Sequence, residues 1–95
     1  MAAKATQTPV RLDAAGNIRA AAGKLTCLIV ANPTAAALAC IVNDAITSTT
    51  GEVFQVSVVA NDTKILSFSP PLPFATGIRI GTLAAGLIVT GAFVD

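Results

Sequence analysis

The chain has 95 residues, of which 54% are hydrophobic and 12% charged, and its formal net charge is +1. The charged residues are scattered singly and Trp and Tyr are absent, which argues against direct nucleic-acid binding through a basic stripe with stacking rings. His is also absent and no carboxylates are paired, so we predict no enzyme, no cofactor and no metal site.

The first part of the chain predicts an arm followed by strands. Residues 1–8, MAAKATQT, are small and polar without periodicity, which predicts a flexible N-terminal arm. The run PVRLD, residues 9–13, alternates apolar and polar side chains like a half-exposed strand. After the turn signal AAGN, the run IRAAAGKL leads into a long strand near residues 25–31. A helical turn in AAGNIRAAAG is the weaker alternative, because the run contains two glycines and no cap.

The middle of the chain continues the same pattern. The stretch NPTA, residues 32–35, predicts a type I turn, since Asn suits its first position and Pro its second. Strands are predicted near residues 36–42, in EVFQVSVVA (52–60) and in KILSFS (64–69). The polar stretch NDAITSTTG and the turn NDT separate them.

A proline-rich corner follows. It consists of Pro70, Pro71, Pro73, Phe74 and Gly77. Proline lacks a backbone N–H and forces the preceding residue to be extended, so we expect Ser69 to end its strand. The prolines should then form a stiff crossover to the other sheet, with Phe74 plugging that end of the core. Gly77 supplies the backbone freedom needed to enter the next strand.

Two further alternating runs, residues 78–81 and 87–94, bring the total to about seven strands with a turn every 8 to 12 residues. The sequence therefore predicts one all-β domain over residues 9–95, a small β-sandwich of about seven or eight strands. The predicted core comprises Leu28, Val30, Phe54, Val56, Val58, Leu66, Phe68, Phe74, Ile78, Ile80, Val89 and Phe93.

The two cysteines leave two alternatives. A hairpin turning at residues 32–35 would place Cys27 opposite Cys40, with Cβ atoms about 4.5 to 5.5 Å apart, close enough for a disulfide after modest adjustment. The favoured alternative is two reduced thiols in a core that folds in the cytoplasm, because no signal peptide is recognisable.

The high apolar content also allows more than one interpretation. A domain of this length buries only about 60 to 65% of its unfolded surface, so we expect neighbouring subunits to cover apolar patches. Alternatively, Ala, Gly and Thr raise the hydrophobic count without forming such patches. A membrane-associated protein is a third hypothesis, but Asn32-Pro33 interrupts the most apolar run, residues 25–42. We therefore predict no membrane span.

Several stretches together resemble a known group of proteins. The polar arm, the run PVRLDAAGNIRAAAGKLTCLIVAN, an Asx-rich middle and the ending SPPLPFATGIRIGTLAAGLIVTGAFVD are similar to small β-sandwich virion proteins of tailed bacteriophages, especially capsid cement or decoration proteins. Pro73-Phe74, the run 77–80 and the apolar final strand carry most of the resemblance. It implies a jelly-roll-like subunit that forms a dimer or trimer, is made in the host cytoplasm and binds major capsid protein on the outer capsid surface.

Within that resemblance, the residues predicted to contact a partner are Lys4, Thr6, Thr8 and Arg11. An arm in this role would become ordered along a neighbouring chain, with Lys4 pairing with a carboxylate. The alternative function is a receptor- or glycan-binding module of a phage fibre or tail. The absence of Trp and Tyr lowers that alternative, because sugar sites recruit flat aromatic platforms.

Overall fold

The structure, a computed structural model, describes residues 8–94, which form eight β-strands and no helix. The strands are β1 (Thr8–Leu12), β2 (Gly16–Arg19), β3 (Gly23–Asn32), β4 (Leu38–Asp44), β5 (Glu52–Val58), β6 (Asp62–Phe74), β7 (Ile78–Leu83) and β8 (Ile88–Val94). The all-β prediction is confirmed.

The strands form two antiparallel four-stranded sheets. The first sheet has the order β1-β8-β3-β6 and the second sheet the order β2-β7-β4-β5. Only the β4–β5 connection stays within one sheet, and every other connection crosses from one sheet to the other. This strand order is jelly-roll-like, and the predicted small β-sandwich is confirmed.

The core lies between the sheets and follows from the alternation of side chains along the strands. Of the predicted core residues, these are buried: Leu28, Val30, Val56, Val58, Phe74, Ile78, Ile80 and Val89. Phe54, Leu66, Phe68 and Phe93 are partly buried and pack against them. The prediction missed Ile18, Leu25, Cys40, Val42 and Leu87, which are also buried in the core. Ile18 packs directly over Gly91 of β8, where a larger residue would collide with it.

One local prediction at a connection was wrong, and the hairpin that the disulfide alternative requires is absent. The turn signal AAGN runs into a strand, because Gly16 and Asn17 begin β2 and pair with β7. The stretch after Asn32 does not close a hairpin, since β3 and β4 lie in different sheets. Cys27 and Cys40 are therefore not cross-strand neighbours, and both are free thiols; Cys40 is buried in the core as the favoured alternative predicted, whereas Cys27 is only half-buried.

The structure of the proline-rich corner differs from the prediction. Pro70, Pro71 and Pro73 lie inside β6 instead of ending the strand at Ser69. β6 is the edge strand of the first sheet, and its pairing with β3 shifts register between Leu25 and Cys27. Edge strands and bulges are where a sheet accommodates proline. The crossover to the second sheet comes later, at residues 75–77, and Phe74 is buried as predicted, with 3% of its surface exposed.

Candidate interaction surface

The outer face of the first sheet is an open surface that the strand pattern creates. Leu28 and Val30 of β3 point into the core, so their neighbours Cys27, Ile29 and Ala31 point outward. The same alternation holds along the other three strands. We call the outward residues the bare face: Pro9, Arg11, Cys27, Ile29, Ala31, Thr63, Ile65, Ser67, Ile88, Thr90 and Ala92. All of them are half-buried or exposed.

The register of the strands arranges the bare face in rows. The central row runs from Arg11 through Thr90 and Ile29 to Ile65. Ile65, at its end, is the most exposed large hydrophobic residue described, with 68% of its surface accessible. Arg11, at the opposite edge, is charged, and Lys24 of β3 is a second exposed cation at the end of the same side of the sheet. Adjacent strands lie about 4.8 Å apart, so the bare face spans roughly 15 Å across the sheet.

The outer face of the second sheet is partly covered by a loop. Asn43 points outward from β4 but is buried, because the loop after β4 folds back over it. Its Nδ2 donates hydrogen bonds to the carbonyls of Thr49 and Thr50 at 2.9 and 3.2 Å, and its Oδ1 accepts one from the Gly81 N–H at 3.2 Å. Arg79 lies beside it and donates to the Ile46 carbonyl at 3.1 Å. The loop is thereby fixed as a cover over part of this face.

Asp44 holds the sheet-to-sheet crossover in place. Its carboxylate accepts hydrogen bonds from the N–H groups of Ala75 at 3.0 Å, Thr76 at 2.8 Å and Gly77 at 3.2 Å. These bonds, that from Thr76 most of all, lower the pKa of the carboxyl group below its ordinary value of 3.8. Gly77, predicted to permit the re-entry, lies where a Cβ would collide with the carbonyl of Ala45.

At the opposite end of the strands, the side chain of Asn32 also holds a connection in place through hydrogen bonds. Its buried Nδ2 donates to the carbonyls of Ala36 and Val58 at 2.7 and 3.0 Å, while its Oδ1 accepts from the Thr34 hydroxyl at 2.6 Å. The side chain thus ties the β3–β4 connection to the end of β5. A depression of about 280 Å³ lies beside it, lined partly by Asn61. Asp62 and Thr63 also line it.

The predicted partner-binding residues are distributed unevenly. Lys4 and Thr6 lie outside the described residues. Thr8, assigned to the arm, is the first residue of β1, where it is exposed opposite Phe93. Arg11 belongs to the bare face. The rest of this face was not predicted, because β3 is apolar on both sides and its sequence does not show which residues point outward.

The thiols and the remaining depression offer little chemistry. Burial raises the pKa of the Cys40 thiol to about 11, so it stays protonated at neutral pH. A second depression, of about 260 Å³, lies between Lys24 and the end of the corner at Pro73 and Phe74. Within residues 8–94 no three His, Cys, Asp or Glu side chains are grouped as metal ligands. No helix of that part of the chain could cross a membrane.

The strand order and the surface together define a β-sandwich in which a loop is held over part of one outer face, while no such loop of residues 8–94 is held over the other. Comparison with protein-family models, with curated proteins and with solved structures yields no match. The function is accordingly argued from the fold and the surface.

Proposed function

We propose that the protein is a structural virion subunit, a capsid cement or decoration protein that binds major capsid protein on the outside of a bacteriophage shell. The observation that carries the proposal is the bare face, four strands wide, with Arg11 at one edge and Lys24 at one end of the sheet as the charges beside it. Exposed apolar patches of this kind are typical of interaction surfaces. The jelly-roll order adds support by analogy, since viral capsid proteins often have this architecture, although other functions share it.

The physical chemistry of the bare face fits a flat partner. Ile65, Ile29 and Ile88 supply apolar area, and Thr63, Ser67 and Thr90 interleave hydroxyl groups that can form hydrogen bonds with a neighbouring chain. Burying this face would stabilise the complex by roughly 25 cal/mol for each Å² of apolar surface removed from water. A ligand that binds only the assembled shell stabilises that assembly by mass action. The role requires neither catalysis nor a cofactor.

The small size of the bare face indicates how the subunit attaches. Stable interfaces bury about 800 Å² on each partner, and a patch roughly 15 Å across is smaller. One subunit alone would therefore bind weakly, and a homo-oligomer that seats several bare faces at once would bind much more tightly. The N-terminal arm adds contacts in this proposal, with Lys4 and Thr6 reaching a neighbouring chain. Thr8 belongs to β1, so the truncation that tests the arm is limited to residues 2–7.

The four phenylalanines give the fibre or glycan alternative no further support. Phe74 is buried, and Phe54, Phe68 and Phe93 pack against the core. None of them forms the flat exposed platform that sugar binding favours.

Co-sedimentation tests the proposal. The purified protein is mixed with empty expanded shells of the major capsid protein encoded with it, with unexpanded shells, and with host cells. We expect saturable binding to expanded shells and an increase in their thermal stability. Binding to cells in the absence of shell binding would overturn the proposal in favour of the receptor-binding alternative. In the same assay, removal of residues 2–7 should leave folding intact and weaken attachment.

A further inference from the structure

The four edges of the two sheets are not equally open to another strand. Edge strands are normally protected by proline, inward-pointing charge or shortness. β6 carries the three prolines of the corner and Lys64 at a core-facing position opposite Val30. β1 contains Pro9, and β2 has only four residues. β5 has seven residues, no proline, and a single charge at its first residue, Glu52.

β5 is also flanked by exposed apolar side chains. Val53 is 44% exposed and Val59 is 63% exposed, and together with Ile65 they are the large hydrophobic residues most accessible to solvent in the described chain. Ile65 belongs to the bare face, whereas Val53 is the second residue of β5 and Val59 directly follows its last residue. Between them Gln55 and Ser57 are exposed, while Val56 points into the core. The outward pattern along this edge is therefore valine, glutamine, serine, valine.

We propose that β5 pairs antiparallel with β5 of a second copy of this chain, about a two-fold axis at Val56. Such an axis places residues whose numbers sum to twice 56 opposite one another. Val53 then lies opposite Val59 of the partner subunit, and Gln55 lies opposite Ser57 of the partner subunit. Both pairs join residues of the same face, so the sheet continues across the interface without turning a polar residue into the core.

The residue pairs that this register brings together across the interface favour the dimer. The two symmetric valine pairs bury the exposed apolar surface at both ends of the strand, and cross-strand pairs of β-branched residues stabilise a sheet. The central glutamine and serine can hydrogen-bond across the interface. Glu52 lies opposite Ala60 of the partner subunit, so no like charges meet. The backbone groups that an edge strand leaves open find partners.

The symmetry of the pair links it to the proposed function. The axis relating two antiparallel strands of one sheet is perpendicular to that sheet, so both bare faces point to the same side of the dimer. A flat shell could then bind both at once, which multiplies weak individual contacts. The pairing deepens the proposed function, but it is deduced from β5 alone and does not depend on a shell.

Charge substitutions at the two valines test both the surface and the register. In Val53→Lys/Val59→Lys, each introduced lysine faces another across the interface, and like charges opposite one another are destabilising. In Val53→Glu/Val59→Lys, the same positions carry opposite charges. Both valines are exposed in the monomer, so folding should be preserved, which circular dichroism checks. Ile65→Lys is the matched control, because it adds a lysine at a more exposed isoleucine away from β5.

Sedimentation equilibrium without shells provides the measurement. The chain has a mass of 9.5 kDa, and we expect twice that mass for the unmodified protein, for Val53→Glu/Val59→Lys and for Ile65→Lys. Val53→Lys/Val59→Lys should sediment as a single chain. A monomeric or trimeric unmodified protein, a failure of the opposite-charge variant to pair, or dissociation by Ile65→Lys would each overturn the pairing. A dimer that does not bind shells would instead contradict the proposed function alone.

Discussion

The outer faces of the two sheets are built from similar strands but differ in whether a loop is held over them. On the second sheet, Asn43 and Arg79 bind the loop that follows β4 and hold it over part of the face. On the first sheet, Ile65, Ile29 and Thr90 face outward. Within residues 8–94, no side-chain hydrogen bond like those of Asn43 and Arg79 holds a loop over them. The loop covers only part of the second face, because Val53 and Val59 at its β5 edge are exposed. The contrast supports the proposal that the first sheet is the side that binds a shell.

Phe74→Ala should have the largest effect on stability, because Phe74 closes the core where the chain passes from the first sheet to the second. We expect a loss of about 3 to 5 kcal/mol in the free energy of unfolding, as for other large-to-small changes in a core. Urea denaturation measures it. The exposed neighbour Pro73 is the control, and Pro73→Ala should change the midpoint much less. Equal midpoints for Phe74→Ala and the unmodified protein would show that the corner does not plug the core.

Asn43→Ala should release the cover of the second sheet. The substitution leaves the carbonyls of Thr49 and Thr50 and the N–H of Gly81 without their side-chain partner. We expect a loss of about 2 to 3 kcal/mol and faster amide exchange in residues 45–51. Ser48→Ala, in the same loop but exposed, is the control. If the loop exchanges equally slowly in both variants, the cover is held by something other than Asn43.

Asp44→Asn should weaken the crossover in a pH-dependent way. The carboxylate has a lowered pKa in the folded protein, so it stabilises the fold above its ordinary pKa of 3.8, and that contribution is lost as pH falls through the folded value. We expect the variant to be less stable by roughly 1 to 2 kcal/mol at neutral pH. The difference should shrink in acid. Thermal melts between neutral and acidic pH check this, and a difference that grows on acidification would contradict the assignment.

Lysine substitutions on the two outer faces should have the smallest effect on folding. Ile65→Lys on the first sheet and Thr82→Lys on the second both change exposed residues. We expect each to alter the free energy of unfolding by less than about 0.5 kcal/mol. Urea denaturation checks this as well, and a larger loss for Ile65→Lys would mean that the bare face supports the fold itself.

The strands were predictable where polar and apolar residues alternate, as in EVFQVSV of β5. β2 was missed because Ile18 is the single residue of its four that points into the core, and Gly16-Asn17 is a strong turn signal. The prediction that a strand ends at Ser69 was wrong for a related reason. Local rules end a strand at proline, but only the sheet order reveals that β6 is an edge where proline is tolerated.

The bare face was harder to predict than the core. In LTCLIVA, apolar residues occupy both faces of β3, so periodicity alone cannot separate the buried Leu28 from the outward Ile29. Which residues of β3 face the core depends on the strands that flank β3 and on what covers the sheet. Both are set by the pairing of strands that are distant in sequence. The buried polar residues Asn32 and Asn43 were likewise read as loop signals, because their partners lie on distant connections.

Shell binding by the two lysine variants tests most directly whether the bare face is the docking surface. Ile65→Lys and Thr82→Lys are each titrated with expanded shells and compared with the unmodified protein by co-sedimentation. Because Ile65→Lys buries a charge in an apolar interface, we expect it to lose most of its binding, whereas Thr82→Lys should bind like the unmodified protein. Undiminished binding by Ile65→Lys, or an equal loss in both variants, would contradict a docking role for the first sheet.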